Sequence, residues 1–132
     1  MNRKSLHARQ AVVVLAMVAI AAGNLRCGED SPLAPPTRDS NEVWITATGY
    51  EPATLTVPVG TRVKWTNRDT KPQCVESGKP GMPTDLFTSP TILPGETWTS
   101  ARPDGTPLVF NSAGTIDYTC KLTGLVGRIV VQ

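Results

Sequence analysis

The side chains best suited to chemistry in this sequence carry sulfur. Across 132 residues there are three cysteines, Cys27, Cys74 and Cys120, and a single histidine, His7. An odd number of thiols leaves one unpaired wherever the surroundings are oxidising. Little else offers a reactive group. Downstream of residue 7 the commonest general base is missing altogether. No Gly-x-Ser-x-Gly elbow, phosphate loop or dinucleotide fingerprint occurs, and the acids are scattered. These residues describe a non-enzyme.

The amino terminus explains where the histidine and the extra cysteine belong. Arg3, Lys4 and Arg9 precede a run of thirteen apolar or small residues, 11–23. As a helix that run spans about 20 Å, short of a bilayer core of about 30 Å. A basic start, a short apolar stretch and small residues after it describe an export signal over residues 1–26. Ala19-Ile20-Ala21 and Ala21-Ala22-Gly23 both suit an ordinary signal peptidase. Alternatively, Cys27 followed by Gly28-Glu29-Asp30-Ser31-Pro32 resembles the lipidated first residue of a bacterial lipoprotein. Leu25 and Arg26 depart from that pattern, and both routes stay open. Either way His7 leaves with the leader. If Cys27 carries lipid, Cys74 and Cys120 remain as a candidate pair.

Removing the leader also changes the charge. The whole chain is formally +2, but from Cys27 onward 9 basic residues face 11 acidic ones, which is −2. No basic stripe of the kind nucleic acid requires is visible. Contact with a membrane is expected only through a lipid on Cys27, and the expected partner is an unidentified protein. The implied location is the periplasm or cell envelope.

The elements that must position Cys74 and Cys120 read as strands. Residues 27–40 form a Pro-rich linker, expected to be disordered. From residue 41 to 132 no stretch free of both Pro and Gly exceeds 11 residues, so a helix of average length barely fits. Short β-branched segments alternate with period two. Val43 and Ile45 oppose Trp44 and Thr46, and Leu55 and Val57 oppose Thr54 and Thr56. Val63 and Trp65 oppose Arg62, Lys64 and Thr66, and Ile129 and Val131 oppose Arg128 and Val130. Turn signals at Pro58-Val59-Gly60, Pro80-Gly81, Pro94-Gly95 and Asp104-Gly105 divide them. Seven or eight strands at this spacing predict an all-β, two-sheet antiparallel Greek-key sandwich.

Several of these pieces, in this order, resemble the cupredoxins of the plastocyanin and azurin type over residues 43–132. They are Gly49-Tyr50-Glu51-Pro52, Leu55 to Thr61, Val63-Lys64-Trp65-Thr66-Asn67-Arg68-Asp69 and Leu93-Pro94-Gly95-Glu96. The end is the most specific part: Phe110, Gly114, Tyr118 and Cys120, then Gly127-Arg128-Ile129-Val130-Val131. The resemblance implies a copper ion held by two histidines, a cysteine thiolate and a weak methionine, a site suited to one-electron transfer. Here the first histidine position holds Gln73, after Pro72. Cys120 matches the thiolate, Thr123 stands at the second histidine, and Val126, beside Leu125, stands at the methionine. Amide, hydroxyl and aliphatic groups ligate copper(II) far less well than imidazole. The expectation is therefore no metal, no cofactor and no electron transfer, leaving a binding or accessory module. The alternative is a blue-copper-type carrier.

By the same resemblance the Gln73 and Cys120 positions converge. A Cys74–Cys120 disulfide is therefore expected, although neighbouring strand residues point to opposite faces. A soft-metal alternative would use Cys74, Cys120 and Met82, since thiolates and thioethers favour Cu(I). Trp65 is expected in the core. Trp44 and Trp98 are candidates for a recognition surface, and Arg68, Lys71, Lys79 and Lys121 are candidates for a basic strip near the former copper end.

Overall fold

The computed structural model describes residues 35–132, so the leader and Cys27 lie outside the described residues. Nine strands occur among them: β1 (Glu42–Ile45), β2 (Tyr50–Glu51), β3 (Thr54–Val57), β4 (Lys64–Asn67), β5 (Glu76–Lys79), β6 (Met82–Thr88), β7 (Thr97–Thr99), β8 (Gly114–Thr119) and β9 (Val126–Val131). They form a four-stranded sheet, β2-β1-β4-β7, and a five-stranded sheet, β3-β9-β8-β5-β6.

The period-two pattern sets which face of each strand is buried. Val43, Ile45, Leu55, Val57, Val63, Ile129 and Val131 are all buried, while the residues that alternate with them, apart from the buried Glu42, are half-buried or exposed. Gly60, Gly81, Gly95 and Gly105, each in an expected turn, take positive φ, the conformation that glycine adopts most cheaply.

The sheets are mixed, whereas an antiparallel sandwich was expected. β1 runs parallel to β4, and β3 runs parallel to β9. Parallel neighbours need a long crossover, and residues 46–63 supply one by carrying β2 and β3 between β1 and β4. Local alternation encodes a strand's buried face but not the direction of a distant partner.

Aromatic rings fill the middle of the sandwich. Trp65, 0% exposed, has its ring centroid 5.5 Å from that of Phe87, 5.3 Å from Trp98 and 5.5 Å from Tyr118. Tyr50 meets Tyr118 edge-on at 4.7 Å, a favoured arrangement of ring quadrupoles. Gly127, paired with Tyr118 across β8 and β9, lies against that ring where any Cβ would strike it.

Candidate functional site: the end of the sandwich that carries the cysteines

Two loops meet at one end of the sandwich. The first leaves β4 at Asn67, whose buried side chain organises it. Asn67 Nδ2 donates to the carbonyls of Lys71 and Ile92, both at 2.8 Å, and Oδ1 accepts the Asp69 N–H at 2.9 Å. An Asn that bonds the backbone two residues on replaces a regular turn. The chain then runs beside Ile92, with Gln73 and Ile92 exchanging backbone hydrogen bonds of 3.0 and 2.8 Å. The second loop leaves β8 at Cys120 and turns tightly. Gly124 N–H donates to the Cys120 carbonyl at 2.7 Å, and Cys120 N–H donates to the Leu125 carbonyl at 2.9 Å.

Between these loops the structure brings together Gln73, Cys74, Cys120 and Thr123. Gln73, 1% exposed, is held at both ends of its amide. Its Nε2 donates to Asp69 Oδ2 at 2.7 Å, and its Oε1 accepts the Thr123 hydroxyl at 2.8 Å. The Gln73 bond holds the Asp69 carboxyl below its ordinary value.

Cys74 and Cys120 are both buried. Three consecutive residues, Gln73, Cys74 and Val75, are all buried, so the strict inside–outside alternation of a strand does not hold here. The Cys74 N–H donates to Cys120 Sγ at 3.1 Å, and the two sulfurs lie 2.7 Å apart. Both are thiols in this structure, and their sulfurs face each other at the junction where a disulfide was expected. Their acidities differ. Burial and the hydrogen bond to Cys120 push the Cys74 thiol up to about 11. Burial also opposes ionisation of Cys120, but hydrogen bonds from Cys74 and from backbone N–H groups outweigh it and lower its value. Cys120 is the easier of the two to ionise.

Other expected residues stand apart from this cluster. Val126, at the family's methionine position, is 56% exposed, while Leu125 packs against the core. Met82 is 71% exposed and borders a hollow with Thr115, Ile116 and Asp117 on the five-stranded sheet. It does not join the two buried cysteines. Of the basic residues, Lys79 and Lys121 line one hollow of about 240 Å³ with Cys120 and Gly124. Arg68 instead stacks over the Trp44 ring at 4.7 Å, so that Trp is partly covered. Trp98 packs against Trp65 and Phe87.

Two contributors were not recognised in the sequence. Asp69, four residues before Gln73, anchors the amide; the only sequence signal for it is the Asn-x-Asp turn. Tyr50 donates its hydroxyl to the Cys74 carbonyl at 2.9 Å, a contact across 24 residues that no local pattern announces.

The donor set does not fit a copper site of the His₂Cys type. An amide and a hydroxyl stand at the two imidazole positions, and they are hydrogen-bonded directly to each other. Two donors sharing a metal at about 2.0 Å each would stand about 3.5 Å apart. Among the described residues no group of three or more His, Cys, Asp or Glu side chains is placed to hold a metal ion, and no helix is long and apolar enough to cross a membrane.

The fold is shared with known proteins. The family model for the cupredoxin-like domain matches residues 10–131. The chloroplastic plastocyanin of Tetradesmus obliquus is 30% identical over 93% of this chain and 82% of its own length. Amicyanin-alpha of Methylorubrum extorquens is 29% identical over 89% and 88%. Among solved structures, a purple cupredoxin from Nitrosopumilus maritimus is 30% identical, covering 69% of this chain and 98% of its own, with a TM-score of 0.59. A Cu(I) form of an amicyanin variant is 26% identical, covering 77% and 88%, with a TM-score of 0.56. This chain belongs to the cupredoxin family.

Proposed function

We propose that this is an exported cupredoxin domain without a type 1 copper site, serving as a non-enzymatic binding or accessory module of the cell envelope. The observation that carries the reading is the direct Thr123–Gln73 hydrogen bond between the two positions where the family places imidazoles. With amide, hydroxyl and aliphatic groups at three of four positions, Cys120 is the one matching donor. A lone thiolate does not build the trigonal centre on which fast one-electron transfer rests.

The export signal over residues 1–26 supports an extracytoplasmic location, and Cys27 supports a lipid tether as one route to it. In such a compartment the Cys74 and Cys120 thiols are placed to form a disulfide. The two thiols lose two protons and two electrons to a disulfide-bearing oxidoreductase, which is reduced to its dithiol. The bond ties the loop after β4 to the loop after β8. The partner this module serves is a protein, and the exposed end around Lys71 and Lys121 is the surface offered to it. Charge reversal at both lysines weakens that contact if the surface is used; unchanged binding removes it from consideration.

The deciding experiment for the copper reading adds Cu(II) to purified protein. The expected result is no intense visible thiolate-to-copper charge-transfer band and no copper retained through gel filtration. A blue band with one copper per chain would overturn the reading.

A further inference from the structure

We infer that the Cys74 sulfur has taken over the metal's place as the second bonding partner of Cys120, and that it closes this end to copper independently of the loss of histidines. The inference rests on the copper-free reading above and goes beyond it. It assigns a cause to the closure and a role to a residue outside the family's ligand set.

Five contacts support this. Cys120 Sγ is engaged from the first loop twice, by the Cys74 N–H at 3.1 Å and by Cys74 Sγ at 2.7 Å. A metal in the family's site would join Cys120 to the residue at position 73, one step earlier in the same loop. The sulfur–sulfur contact makes that junction one residue later, and Cys120 is left with no exposed surface. Gln73, freed from any ligating role, turns both ends of its amide to protein partners, Asp69 and Thr123. Tyr50 fixes the Cys74 carbonyl from the opposite sheet, so Cys74 is held in place independently of its sulfur. The chemistry needed for the covalent form is the two-electron, two-proton oxidation of the thiol pair by a disulfide-bearing oxidant, as stated above.

Restoring the histidines alone should therefore fail. We would compare the wild type, the Gln73→His/Thr123→His double variant, and the same double variant with Cys74→Ser, each purified oxidised and then given Cu(II). The expected outcome is no copper in the first two. The third should take up one copper per chain with a visible thiolate charge-transfer band. If the double variant takes copper as fully as the Cys74→Ser form while the wild type does not, this inference fails and the copper-free reading stands. If the wild type takes copper, that reading fails as well. Copper in neither variant also overturns the inference, because Cys74 is then not what closes the site.

A second measurement stands even if those variants fold poorly. Cys74→Ala, Cys120→Ala and the double variant should lower the thermal midpoint of the oxidised protein by the same amount, since each removes one shared link. Additive losses would contradict it.

Discussion

The middle of the sandwich and its cysteine-bearing end are held by different physics. In the middle, Trp65, Phe87, Tyr118 and the aliphatic residues of β1, β3, β4 and β9 pack by shape and by removal from water. At the end, Asn67, Asp69, Gln73 and Thr123 form a line of hydrogen bonds, and two sulfurs face each other beside it. The contrast separates cohesion without direction from cohesion by directed bonds. Non-directional burial of apolar surface folds the sheets, while at the end directed hydrogen bonds join two loops.

That comparison is open to breakage from both sides. The largest effect is expected in the core. Trp65→Ala removes a fully buried ring and should cost about 3–5 kcal/mol, read as a drop in denaturant midpoint; a loss no larger than that of a surface substitution would mean the centre is not the main store of stability. Next comes the cross-link. Closing a loop of 47 residues, 74 to 120 inclusive, is worth about 4 kcal/mol by chain entropy, less any strain. Reductant should lower the thermal midpoint of the wild type accordingly and leave Cys74→Ala unmoved.

A smaller loss is expected at Asn67. Changing it to Ala leaves the Lys71 carbonyl and the Asp69 N–H without their partner and the Ile92 carbonyl with the Gln73 N–H alone, at a cost of about 1–3 kcal/mol. Hydrogen exchange should then show the 68–74 segment loosened and β9 still protected; uniform loosening would merge the two regions. Thr123→Val removes one hydrogen bond to Gln73, worth about 1 kcal/mol. The effect should be larger in reduced than in oxidised protein if the disulfide already holds the loops.

The smallest effect depends on acid. Because Gln73 keeps the Asp69 carboxyl below its ordinary value, that carboxylate contributes stability above the unfolded value of about 3.9 and loses it as pH falls through the lower folded value. A Gln73→Ala variant should therefore lack part of the wild type's acid limb below about pH 4. Superimposable acid titrations would show the Asp69–Gln73 bond to be without energetic weight.

The same contrast explains what the sequence made legible. Val43, Ile45, Leu55, Val57, Val63 and Trp65 were readable as inward-facing because a strand's two faces alternate residue by residue. The parallel pairing of β1 with β4 was not, since the direction of a partner 22 residues away, as Val43 is from Trp65, leaves no local trace. At the cysteine end the residue types were legible only through the family's motifs. The contacts themselves were hidden, because Thr123 and Gln73 are 50 residues apart and their hydrogen bond follows from how two irregular loops meet. Val126 illustrates the same limit: counting from Cys120 points to it, yet the tight turn at Gly124 leaves Val126 facing solvent and Leu125 facing the core.

The central claim is that sulfur, not copper, closes the end of this cupredoxin. Intact mass of the exported protein, purified without added metal or reductant and ionised gently, tests it most directly. The account predicts a polypeptide free of copper and lighter by two hydrogens than the same sample after reduction. A mass that includes one copper ion, with both thiols still open to alkylation, would contradict it.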